Sequence, residues 1–297
     1  MTSIPTRVLQ PGDEAVLEAF LVPRIASSMF LLGNMRHSGL IDGGKPYQGT
    51  YVAAFEGQRI TSVVAHYWNG NLVTQAPVHL GELWPAAVQT SGREIRGVLG
   101  PDEQVSALKD ELHIHADDVQ MDESENLYRL DLDQLIVPQP LSQGRVVGRR
   151  IEPRDLDVVS EYSSRFCIEA LGDEDNADLR VQCRASMERH MQEGTAWILE
   201  LDGVPVSTSA FNTATKEAVQ IGGVWTPPEL RGRGYARAVV AASLLDARAD
   251  GARLAVLFTG RKNVAAQKAY QALGFGHIGD YRILLLRSGV RPGAAPA

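Results

Sequence analysis

The chain has only two cysteines, Cys167 and Cys183, among 297 residues. They stand far apart, with no CxxC and no histidine at ligand spacing. That argues against a disulfide framework or a zinc site and leads us to expect a reducing cytoplasm. Both thiols read as small core fillers. Basic charge is also short: 29 Lys and Arg against 36 Asp and Glu leave a formal net charge of −7. The deficit is local, since residues 1–144 hold 9 basic and 18 acidic side chains and the remainder 20 and 18. An acidic first half argues against nucleic acid as a partner, because such binding rests on phosphate neutralisation. No uninterrupted apolar run approaches the ~20 residues of a membrane span, so no membrane partner is expected. The opening Met1-Thr-Ser-Ile-Pro5 has neither the basic nor the apolar region of a secretory leader. A Walker lysine, a dinucleotide βαβ fingerprint and a Ser/His/Asp set on an elbow are missing too. His113-Ile-His115 with Asp117-Asp118 has ligand-like composition but no further Cys or His to complete a set, so no metal is expected.

What is present suits a globular protein of two ordinary domains, 44% hydrophobic and 22% charged. Val137-Pro-Gln-Pro-Leu-Ser-Gln-Gly-Arg145 breaks any period and marks a boundary. The two sides share an outline: helices, a run of antiparallel strands, then helix, strand, helix, strand. In the first half the pattern predicts a helix or broken pair over 12–33 and strands 49–55, 60–68 and 71–75. Helix 81–90, strand 93–99, helix 101–113 and strand 126–137 follow. In the second it predicts strand 145–151, helices 153–171 and 177–193, and a hairpin 195–212 turning at Asp202-Gly203. Strand 217–226, helix 233–249, strand 252–259, helix 263–273 and strand 276–287 complete it. This reads as a diverged internal duplication of α+β class, with domains 1–139 and 145–290 and a flexible tail over 291–297.

One segment stands out. A β-branched run ends at Val224-Trp-Thr-Pro-Pro-Glu-Leu, and Arg231-Gly-Arg-Gly-Tyr-Ala236 then opens an alanine-rich helix. Unpaired N–H groups at a helix start, with the positive end of its dipole, form a ready anion site. The glycines let the backbone approach that anion without a Cβ between.

The hexapeptide, with Asn263, Ala266, Tyr270 and Gly274-Phe275 in order behind it, resembles the GNAT superfamily of acyl-CoA-dependent N-acetyltransferases. The likeness covers about the last 150 residues; the first half resembles a degenerate copy. It implies two GNAT-like domains, each a mixed, mostly antiparallel central sheet flanked by helices. It also implies acetyl-CoA as co-substrate and no metal. By this resemblance the N–H groups from Gly232, Arg233, Gly234, Tyr235 and Ala236, behind Arg231, cradle the pyrophosphate. Val224, Trp225 and Thr226 pair with the pantetheine arm. The prolines at 227 and 228 remove ladder donors, so the sheet should open about there. Asn263, as helix cap, puts positions 263, 266, 267 and 270 on one face. Asn263 and Ala266 then lie near the pantetheine and the Tyr270 phenol near the sulfur. A phenol of ordinary pKa ~10 is protonated at neutral pH and suits protonation of a leaving thiolate.

The proton acceptor is less defined. Gln220 stands where the family often has a carboxylate, and glutamine takes no proton. Glu217, Glu161 and Glu169 are the nearby carboxylates. The expectation is an N-acetyltransferase acting by direct attack of a primary amine, on a small molecule or peptide, with the first half lacking CoA. A homodimer is the assembly it admits. The competing reading is a non-catalytic acyl-CoA-binding sensor, with the loop kept and the base lost.

Overall fold

The computed structural model describes residues 5–291; the tail expected over 291–297 lies outside it beyond Arg291. In chain order the first half contains β1 (Thr6–Val8), α1 (Glu14–Leu21), α2 (Ile25–Ser38), β2 (Gly49–Glu56), β3 (Arg59–Tyr67), β4 (Asn71–Gln75), α3 (Leu80–Ser91), β5 (Ile95–Pro101), α4 (Asp102–Glu111) and β6 (Val119–Asp131). Then come α5 (Gln139–Ser142), β7 (Val147–Arg150), α6 (Leu156–Phe166), α7 (Ala177–Glu193), β8 (Ala196–Leu201), β9 (Val204–Ala214), β10 (Ala218–Trp225), α8 (Tyr235–Ala249), β11 (Leu254–Gly260), α9 (Val264–Gln271) and β12 (Gly276–Val290).

Two compact units emerge, residues 1–126 with 279–297, and residues 127–278. The sequence places the division at 139–145, in the proline-rich segment. The proline-rich segment forms α5, and the chain passes between units within β6 and again within β12. Sequence reading starts the strand at 126, beyond the acidic residues Asp122, Glu123 and Glu125. Asp122 is ion-paired with Lys109 and Arg282, each at 2.6 Å, and the strand begins at Val119.

In the first unit β1, β2, β3 and β4 are successively antiparallel. After α3 the chain returns as β5, parallel to β4, and β12 pairs antiparallel on its other side. The predicted helix 12–33 is a broken pair. Pro23 lies in a 3-10 turn, Val22–Arg24, between α1 and α2. Glu14–Ser38, with mean hydropathy 1.7, is long and apolar enough by composition to cross a membrane. Its Leu17, Leu21, Leu31, Leu32 and Met35 are buried in the core with Tyr51 and Val63.

The second unit repeats the pattern. β7, β8, β9 and β10 run antiparallel, α8 crosses over, and β11 lies parallel to β10. Each unit is thus a mixed, mostly antiparallel sheet flanked by helices, as the sequence leads one to expect. The β8–β9 hairpin turns at Asp202 (φ +52°) and Gly203 (φ +77°), the paired left-handed residues of a type I′ turn. Helix α8 carries small side chains, Ala238, Ala241 and Ala242, and lies close on the sheet. A Cβ at Gly148 of β7 would collide with Ala242. The indole N–H of buried Trp197 on β8 donates to Asp246 of α8 at 2.7 Å, which fixes the helix along its axis.

His190, at the end of α7, reports on this packing. Burial, with a smaller contribution from the Arg189 charge, pushes its imidazole down to about 4, and its Nδ1 lies 2.8 Å from the Thr195 hydroxyl. The folded state thus resists a proton that the unfolded chain accepts below about 6.5. Stability should fall as pH drops from about 6.5 toward 4, by at most about 3 kcal/mol from this residue. Urea melts across that range, with His190→Gln as the non-titrating control, should show a flatter decline in the variant.

Candidate active site

The site begins where two parallel strands part. β10 and β11 pair at Ala218↔Leu254, Val219↔Ala255 and Gln220↔Val256, and no further, although they run on to Trp225 and Gly260. The opening therefore starts at Ile221, several residues before the prolines held responsible for it. The cause is irregularity in β10. Its register on β9 shifts between Gln220 and Ile221 and again between Gly222 and Trp225, leaving Gly223 and Val224 opposite no β9 residue. Gly223 takes φ +56°, a left-handed value that favours glycine. Gly222 is required for space, since a Cβ there would collide with the side-chain amide of Asn212. A bulged strand edge with free backbone groups thus faces the gap at Val224.

The other two residues expected along that edge are partly engaged. The Trp225 carbonyl accepts from the Ser207 hydroxyl at 3.0 Å, and the Thr226 hydroxyl lies 2.8 Å from the same oxygen. The Thr226 carbonyl accepts from Arg231 Nε at 3.0 Å. Pro228–Leu230 form a 3-10 turn, and Gly232 (φ +76°) and Gly234 (φ +81°) bend the chain into α8. Gly234 is the helix N-cap, and its carbonyl accepts the Ala238 N–H at 3.0 Å. Among the described residues, the six N–H groups from Gly232 through Arg237 donate to no protein acceptor. They include those of Arg233, Tyr235 and Ala236. Arg237 adds a buried Nε that is also without a partner. Leaving a buried donor unpaired costs about 1–3 kcal/mol; the Arg237 Nε is such a donor, and beside it the open N–H groups of the helix start suit an anion.

Arg231 behaves differently from its expected place in the anion cradle. Its guanidinium donates to Glu169 at 2.6 Å as well as to the Thr226 carbonyl. Glu169 lies on the π-helical turn Cys167–Leu171 that follows α6, and also accepts from the Trp225 indole N–H at 3.2 Å. The hydrogen bond from Arg231 holds its carboxyl below the usual range. Trp225 is buried and packs on Tyr162 of α6, ring centroids 4.8 Å apart. Glu169 thus ties the α6 arm to the strand end and to the loop.

On the other side of the gap, β11 leads into α9. Asn263 caps the helix, its Oδ1 accepting the Ala266 N–H at 3.1 Å, as the sequence leads one to expect. The Gly260 carbonyl accepts from the Asn263 N–H at 2.9 Å and from Gln267 Nε2 at 3.1 Å. Tyr270 is half-buried, its ring edge-on to Phe275 at 6.0 Å between centroids and packed on the core under α8.

Of the carboxylates named from sequence, Glu169 reaches the strand end and the loop, and Glu217 and Glu161 do not. Glu217 precedes the far end of β10, where its carbonyl accepts from Arg253 and Leu254. At about 3.3 Å per residue it stands some 15 Å from Gly222 along the strand. Glu161 is paired with Arg165 at 2.6 Å on the exposed side of α6. Gln220 is buried at 2% exposure, and its Oε1 has no hydrogen-bond partner. The crowding of arginines at 231, 233 and 237 suits an anionic ligand, though it does not single out Arg237, and Asn212 was not legible as a site residue. Arg237 reads as one more arginine on a helix, and Asn212 matters only through the bulge that brings it over Gly222.

The equivalent stretch of the first unit differs. Only residues 76–79 separate β4 from α3, against 226–234 in the second. The Ala76 N–H donates to Gln104 Oε1 at 2.7 Å, and the Val78 N–H to the Ser62 hydroxyl at 3.3 Å. Side chains of the same unit hold the donors there.

Residues 158–275 match the model of the Acetyltransferase (GNAT) family. No curated protein matches the chain. Among solved structures, a Drosophila protein is similar with a TM-score of 0.65 at 13% identity, covering 95% of this chain and 99% of that one. A GCN5-related N-acetyltransferase from Sphaerobacter thermophilus gives 0.57 at 16% identity, with 98% of each chain covered. A tandem GNAT protein from the clavulanic acid biosynthesis pathway gives 0.55 at 16% identity over 98% of this chain and 100% of that one. At these identities the likeness is one of fold.

Proposed function

Because residues 158–275 form a domain of the GNAT acetyltransferases, a family that uses acetyl-CoA as co-substrate, we propose that this chain moves an acetyl group from acetyl-CoA to a primary amine by direct attack. The carrying observation is the row of six open N–H groups from Gly232 to Arg237, with the unpartnered Arg237 Nε beside them. It lies one turn beyond a bulged strand edge. This supports a pyrophosphate at the loop and an extended amide-bearing arm along Val224. Acetyl-CoA supplies the activated thioester. The loop holds the anion, α9 aims Tyr270 at the gap, and the phenol gives a proton to the leaving sulfur. The two thiols are poor candidates for an acyl-enzyme. Burial, reinforced by Cys183, pushes the Cys167 thiol up to about 12.

In this reading the chain is a tandem of two GNAT-like copies, and the shared strand pattern supports it. The first copy is read as CoA-free, its connection being shorter and its Ala76 and Val78 N–H groups taken up by Gln104 and Ser62. The acceptor is a small-molecule or peptide amine. Gln220, in place of a carboxylate, favours one alternative, an acyl-CoA-binding sensor without turnover. Thiol release from acetyl-CoA with a panel of amines, beside calorimetric binding, separates the two. Tight binding with turnover of at least one amine is expected; binding without any turnover would establish the sensor.

A further inference from the structure

The α6–α7 arm carries a pair of groups that acetyl transfer does not use. Cys167 opens the π-helical turn after α6, and Cys183 lies on α7; their sulfurs are 3.8 Å apart. The sequence argues against any pairing, yet the fold of this arm puts the two thiols in contact. Cys167 is half-buried and Cys183 buried, so an oxidant meets Cys167 first. Two residues further on, the same turn carries Glu169, whose carboxylate holds Arg231 at 2.6 Å and Trp225 at 3.2 Å. Gly172, at φ +73°, ends the turn.

We propose that Cys167 and Cys183 form an oxidisable dithiol, closed to a disulfide by a peroxide, and that closure releases Glu169 from the cofactor loop. The steps balance. The Cys167 sulfur attacks one peroxide oxygen, giving a sulfenic acid and water. The Cys183 thiol then displaces the sulfenic oxygen as a second water. Two thiols and one hydrogen peroxide become one disulfide and two waters. A disulfide requires sulfurs about 2.05 Å apart, so the pair must close by nearly 2 Å. Rotation of the two cysteine side chains supplies part of that approach and movement of the turn Cys167–Leu171 the rest, and Glu169 rides on the same turn. The high thiol pKa keeps the pair reduced under mild conditions. The effect on affinity rests on reading residues 224–237 as the acetyl-CoA loop; the disulfide itself does not.

The test uses the full chain, reduced and then treated with hydrogen peroxide. Peptide mapping should recover a Cys167–Cys183 crosslink and a mass loss of about 2 Da, reversed by dithiothreitol. Hydrogen exchange in the 225–236 peptide should quicken on oxidation, and acetyl-CoA affinity should fall about tenfold and recover on reduction. C183S and C167S should show neither response. Failure to form the crosslink would overturn the modification site. A crosslink that leaves both exchange and affinity unchanged would overturn its link to the loop. If the reduced chain does not bind acetyl-CoA at all, the proposed function fails, while mapping and exchange still decide the dithiol.

Discussion

Gly234→Glu is expected to remove acetyl-CoA binding, with affinity falling at least 100-fold, or about 2.7 kcal/mol or more. Two costs combine. Gly234 sits at φ +81°, and a residue with a Cβ adds about 1–2 kcal/mol of strain there. The new carboxylate also stands at the start of α8, among the N–H groups that would hold a pyrophosphate, and repels it. Gly234→Ala separates the terms, carrying the strain without the charge, and should lose affinity only modestly. Calorimetry of both variants, with melting temperature measured alongside, checks this. Unchanged affinity in the glutamate variant would remove the loop from the cofactor site.

Tyr270→Phe should lower kcat about 100-fold while moving the acetyl-CoA Kd less than threefold, within the range of a lost general acid. The ring packs edge-on to Phe275 and against the core under α8, so phenylalanine keeps that packing and loses only the hydroxyl. Single-turnover rates beside equilibrium binding make the distinction. A comparable fall in both quantities would recast Tyr270 as a packing residue, because an interaction made only in the transition state leaves ground-state affinity alone.

The elements were legible wherever a local rule decides them. Asp202-Gly203 announces its turn and Asn263 its cap. What depends on pairing between distant segments was not. Gly222-Gly223 signals a bulge or a close approach, and the register shifts between β10 and β9 fall about there. The opening itself was attributed to Pro227 and Pro228, yet the pairing with β11 already ends at Gln220, which only the partner strands decide. Arg231 was placed in the anion cradle as one arginine of three. Its tie to Glu169 joins residues 62 apart in sequence, which no local pattern reveals. The nearness of Cys167 and Cys183 follows from how α6 packs on α7, a tertiary fact. The strand expected from 126 begins at Val119 instead, with Asp122 held by Lys109 and Arg282, which lie 13 and 160 residues away along the chain.

The course of β12 governs how this protein comes off the ribosome. Leu99 and Val98 of β5 pair with Ile283 and Leu284, residues made only after the whole of the second unit. The first unit cannot finish folding until the strand after residue 278 has been made, whereas the unit at 127–278 is contiguous and is complete earlier. The usual N-to-C order of domain folding is thereby inverted. A stop codon at 279 would spare the domain it seems to truncate and strip a strand from the one farthest away in sequence.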